Sequence, residues 1–176
     1  MTNPLYKLAT GGVIRLSDGA FIPQDEANRD YRAYQEWIAA GGTAAPEYSL
    51  EQLKAIALAN LDTSCAASIT EGFTSTALGT AYGYPSNATA QSNLQASVLA
   101  SLIPGLAEDW TTPFWCQDAA GTWAYRPHTA AQIQRVGTDG KDAINACIAR
   151  KIQLEQQLAK AKTLAEVEAI TWTAPQ

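Results

Sequence analysis

The sequence predicts an α+β fold, with an N-terminal β-hairpin plus helix, then a helix-rich domain with two short β-hairpins and a long C-terminal helix. Three observations predict it. An Asp18-Gly19 pair lies between short apolar runs, the local signal of a hairpin turn. Ser49-Leu-Glu-Gln52, Thr129-Ala-Ala-Gln132 and Thr163-Leu-Ala-Glu166 are capping boxes, each opening a run of apolar residues at three- and four-residue steps. Aromatic residues alternate with small and hydroxyl ones around glycine and proline near residues 73–85 and 110–125, as strands do. The 176 residues, 47% apolar and 16% charged, suffice for one domain with a real core and a small appendage.

The first arm of the N-terminal hairpin is Val13-Ile14 and the second Phe21-Ile22, ended by Pro23. Asp25 is expected as the N-cap of the next helix, with Glu26 in its first turn, where the dipole favours a carboxylate. Tyr31, Tyr34, Trp37 and Ile38 then form a stripe down one side, stopped by Gly41-Gly42. This stripe either covers the hairpin or, being large for so small a unit, turns in part toward another chain. Small, nearly uncharged residues follow, so the expected organisation is a module over 1–42, a linker over 43–48 and a globular domain over 49–176.

Within that domain the first helix runs from Leu50 through Ile56, Leu61 and Cys65 to about Gly72, and Phe73, Tyr82 and Tyr84 mark two short strands. A second helix through Leu94 and Val98 stops at Pro104-Gly105. Residues 114–116 and 122–125 flank Asp118–Gly121 as another hairpin, with the alternating tryptophans expected on its core face. The longest helix begins at Thr129 and should bury Ile133, Val136, Ile144, Ile148, Leu154 and Leu158, with Gly137 and Gly140 as points of interruption. A short last helix buries Val167 and Ile170.

The chemistry of an enzyme is missing from this pattern. The sole histidine, His128, beside Pro127 at a strand-to-helix corner, leaves triads and histidine metal sites without their residues. Cys65, Cys116 and Cys147 are far apart and read as reduced, buried apolar residues. The acidic run around Asp18, Asp25, Glu26 and Asp30 lacks the alternation and the terminal Glu of a calcium loop, and no phosphate-binding glycine spacing occurs, so neither metal nor cofactor is expected. A formal charge of −5 with scattered Lys and Arg argues against nucleic acid. No apolar run is long enough for a membrane span or a signal peptide, so no membrane insertion is expected and synthesis is placed in the cytoplasm. Trp115 and Trp123 are also candidates for stacking on a sugar.

Two blocks carry a family resemblance. VIRLSDGAFIPQDEANRDYRAYQEWIAAGG resembles a segment near the start of many small tail proteins of tailed bacteriophages. Residues 49–172, through CAASITEGFTSTALG, YGYPSNATAQSNL, PFWCQDAAGTWAYRPHTAAQIQRVGTDGK and QLAKAKTLAEVEAITW, resemble a phage domain family of unassigned function that often accompanies it. The resemblance implies a virion tail location, with assembly in the host cytoplasm, and tail-fibre or baseplate proteins as partners. It implies either a structural tail component, a fibre-assembly chaperone absent from the particle, or a receptor- or sugar-binding tip protein. A homotrimer follows by family analogy alone. On this reading the N-terminal module docks through Phe21, Ile22, Tyr31, Tyr34 and Trp37, aromatic anchors being common hot spots.

Overall fold

A computed structural model describes residues 4–175, and the chain divides into two units, Met1–Leu53 and Lys54–Gln176. The first unit is a three-stranded antiparallel sheet, β1 Tyr6–Ala9, β2 Gly12–Arg15 and β3 Phe21–Pro23, followed by helix α1, Arg29–Ala39. The β2–β3 hairpin forms at the expected place, with Val13 opposite Ile22 and Ile14 opposite Phe21. Gly19 takes φ +73° in its connection. Strand β1 was not expected: it has only Tyr6 and Leu8 as an apolar alternation, and its pairing of Leu8 with Val13 makes it a strand. Tyr6, Val13 and Ile22 form the buried centre, against which Tyr31, Tyr34 and Trp37 of α1 pack.

Helix α1 starts later than the acidic run suggested. Its N-cap is Asn28, whose side-chain oxygen accepts from the backbone N–H groups of Asp30 (2.8 Å) and Tyr31 (3.3 Å). Asp25 instead accepts from the N–H of Ala27 at 2.8 Å, tightening the turn before the helix. Asn28→Ala is expected to cost α1 about 1 kcal/mol, read as faster amide exchange confined to that helix. The segment 43–48, expected as a linker, is fastened to this unit. Ala45 accepts from Leu8 N–H and donates to the Tyr6 carbonyl, both at 2.8 Å, and the Thr10 hydroxyl donates to Glu47 at 2.9 Å. The division between units therefore falls further on, inside helix α2, Leu50–Glu71.

The second unit carries a four-stranded antiparallel sheet in the order β4 (Phe73–Ser75), β5 (Tyr82–Tyr84), β6 (Thr111–Gln117), β7 (Trp123–Thr129). The two expected hairpins are thus one sheet, joined where Gly83 of β5 pairs with Gln117 of β6. Helix α3, Ala88–Ala100, and helix α4, Ala130–Lys160, close over its inner face, where Tyr84, Leu94, Phe114, Cys116, Ile133 and Val136 are buried together. Thr129 ends β7 and is itself the N-cap of α4, in a capping box with Gln132. The helix runs unbroken for 31 residues. Gly137 and Gly140 are contact points within it: a Cβ at Gly140 would lie 2.8 Å from the Phe73 ring, and one at Gly137 would lie 2.8 Å from Val98 Cγ2.

Further along α4 the inward positions are Cys147, Leu154 and Leu158, while Ile148 is 42% exposed. One residue is about 100° of helix, so Cys147 at the inward position turns Ile148 away. Helix α2 runs opposite to α4, as Lys54 reaches the Ala159 carbonyl near one end and Asp62 pairs with Lys151 further along. Helix α5, Leu164–Glu168, begins at the capping box of Thr163 and Glu166. Backbone N–H groups of Lys162 and Thr163 hold the Glu166 carboxyl below the usual carboxylate range.

Candidate binding surfaces

The sole histidine and the three cysteines are buried, while Glu71 and Asp142 are exposed carboxylates that border a cleft of the second unit. His128 is fully buried, at 0% exposure. Its Nδ1 lies 2.8 Å from the Arg126 carbonyl, which can only accept, so Nδ1 carries the proton. Nε2 is then the acceptor for the Tyr84 hydroxyl, 2.9 Å away. Burial lowers the imidazole's pKa, so both contacts belong to the neutral ring. Cys65, Cys116 and Cys147 are buried, and burial pushes the Cys147 thiol up.

Among the described residues no three His, Cys, Asp or Glu side chains come together as a metal site. Asp18, Asp25 and Asp30 of the acidic run have partners of their own. Arg15 grips Asp18 through Nε (3.0 Å) and one terminal nitrogen (2.7 Å), and lies 3.3 Å from Asp30. The hydrogen bond from Arg15 holds the Asp18 carboxyl below its ordinary value.

Two aromatic surfaces remain. In the first unit Tyr31, Tyr34 and Trp37 are half-buried, with Tyr34 and Trp37 each 5.1 Å from the Tyr6 ring. They cover the sheet with one side and keep the other open. Gly42 packs on Trp37 so closely that a Cβ there would sit 2.3 Å from the indole. Phe21, on the other face of the sheet, is 54% exposed, whereas its neighbour Ile22 is 2% exposed. Ile22 is therefore core, and the pleat removes it from the set of surface anchors expected from the sequence.

The second surface reverses an expectation. Trp115 and Trp123 do not line the core face of their hairpin: Phe114 and Cys116 point inward, and the tryptophans stand on the outer face. The Trp115 and Trp123 rings stack at 6.1 Å and 13°, and Trp115 also meets Tyr125 at 4.8 Å. Tyr125, 70% exposed, was missed by sequence reasoning, although its two-residue spacing from Trp123 places it on the same face. Arg126 holds this hairpin from within, bonding the Cys116 carbonyl (2.8 Å) and Asp118 (2.7 Å) and lying over the Tyr82 ring. The strip of three rings is thus mounted on a braced ribbon.

Residues 52–171 match the family model described as Domain of unknown function (DUF4376). No curated protein and no solved structure matches the chain.

Proposed function

We propose that this chain, which belongs to the DUF4376 family, is a non-enzymatic structural component of a bacteriophage tail, docking onto a tail-fibre or baseplate protein through its N-terminal unit. The observation that carries the reading is the aromatic surface left open on both faces of the first unit's sheet. Phe21 is 54% exposed, and the half-buried rings of Tyr31, Tyr34 and Trp37 leave aromatic surface uncovered on a unit of 53 residues. Burial of that surface on a partner would be favourable by about 25 cal/mol per Å² of apolar area, with aromatic rings as anchors. The fully engaged His128 and the buried thiols support the non-enzymatic part. No helix among the described residues is long and apolar enough to cross a membrane. The resemblance of residues 13–42 to small tail proteins supports a tail as the larger assembly, and a trimer, by analogy with its fibres, as the oligomer to look for.

The test is incorporation into purified particles. Phe21→Ala removes an exposed ring and spares the core, and Tyr34→Ala with Trp37→Ala removes the ridge. Both are expected to lower the copies per particle roughly tenfold, the effect of about 1.4 kcal/mol of lost contact. Normal incorporation of a folded variant in both cases rejects docking through this unit. A wild-type chain abundant in lysate and absent from particles replaces the structural role by that of an assembly chaperone.

A further inference from the structure

We propose that the cleft between the outer aromatic strip and helix α3 binds a neutral saccharide. The cleft has a volume of about 910 Å³, within the range of small-molecule sites. One wall is Trp115 and Tyr125, rings 4.8 Å apart and inclined at 56°, so that they form an open angle rather than a flat sheet. Trp123, stacked on Trp115, holds the indole in place from outside the cleft. The other wall is the polar side of α3, where Asn93 and Ser97 contribute an amide and a hydroxyl.

The chemistry of the lining selects the ligand. No Asp, Glu, Lys, Arg or His is among the described residues that line the cleft. A phosphate, a nucleotide or an acidic glycan would find nothing there to neutralise its charge, and desolvating that charge unpaired is costly. A sugar ring presents an apolar C–H face, which suits an aromatic wall, and equatorial hydroxyls, which suit an amide and hydroxyls opposite. The phenol of Tyr125 serves both needs, as its ring is apolar and its tip polar. The site lies wholly in the second unit and does not rest on docking through the first.

The experiment uses the full chain and a panel of neutral oligosaccharides of glucose, galactose and N-acetylglucosamine, with glucuronate-containing oligosaccharides as the charged comparison. Binding is followed by tryptophan fluorescence and saturation-transfer NMR. Saturable binding of at least one neutral member is expected, unaffected by added salt, and weakened roughly tenfold or more by Trp115→Ala or Tyr125→Ala. Trp115→Phe should recover part of the loss, and Ile152→Ala, at an exposed position outside the cleft, should change nothing. A folded wild-type chain that binds no neutral member overturns the proposal, as does a Trp115→Ala variant that binds equally well. Self-association of the wild type that Trp115→Ala abolishes, without saccharide binding, makes the strip a contact between copies and also overturns it.

Discussion

His128→Ala is expected to destabilise the second unit by about 3 kcal/mol, with a fall in melting temperature of roughly 10 °C. The imidazole is fully buried against Tyr84 and Phe114, so its removal leaves a cavity that the sheet and α4 cannot close without moving. It also strands two polar groups, the Tyr84 hydroxyl and the Arg126 carbonyl, each of which has lost its bond to the ring. Tyr84→Phe removes the hydroxyl instead and leaves Nε2 unpaired, a milder change of about 1 kcal/mol.

The pH dependence has a definite sign. Because burial depresses the folded pKa of His128, the unfolded chain takes up the proton first as pH falls. The stability of the neutral pairing is present above the unfolded value near 6.5 and is lost as pH drops through it toward the lower folded value. Urea denaturation at pH 7 and pH 5 should show a loss in the wild type that shrinks in His128→Ala. A variant that costs less than about 1 kcal/mol would mean that the buried pair is not an organising contact.

Gly12→Ala is expected to unfold the first unit and leave the second intact. A Cβ at this position would lie 2.1 Å from the Ile22 carbonyl oxygen, a backbone atom that cannot swing aside as a side chain would. Relief requires β2 and β3 to separate, which breaks the pairing of Val13 with Ile22 at the centre of the small core. A unit of 53 residues has little stability in reserve, so a loss of about 3 kcal/mol is enough to melt it. Limited proteolysis should then cut before residue 54 while the remainder stays resistant. Resistance equal to the wild type in both units would show that the strands can yield at that point.

Where folding instructions are local, most of the sequence could be read, the N-cap of α1 at Asn28 and not Asp25 being the exception. The Asp18-Gly19 turn and the caps at Thr129 and Thr163 act within a few residues, and each element starts where those residues put it. Where the outcome depends on partners distant in the chain, reading failed. Strand β1 exists through its pairing with β2, and Ala45 joins it from beyond α1. Strand β6 carries apolar residues in both phases of its alternation, and β7 has Trp123 and Tyr125 in its outer phase against Ala124, Arg126 and His128 in its inner one, so periodicity pointed to the wrong face. Packing under α4 chose Phe114 and Cys116, and left the larger indoles outside. Gly137 and Gly140 read as weak points in a helix because propensity penalises glycine. Their reason is the nearness of Val98 and Phe73, which no local rule contains.

The direct passage from β7 into α4 at Thr129 also limits how this domain can change over evolutionary time. With no spacer between strand and helix, one inserted residue would swing everything after it by about 100° and carry Ile133 and Val136 out of register with the sheet. Length variation must instead accumulate in the Asp118–Thr122 hairpin loop or between α3 and β6, where added residues rotate nothing behind them. Related chains should therefore differ in loop size on those two connections and keep the strand-to-helix junction at constant length.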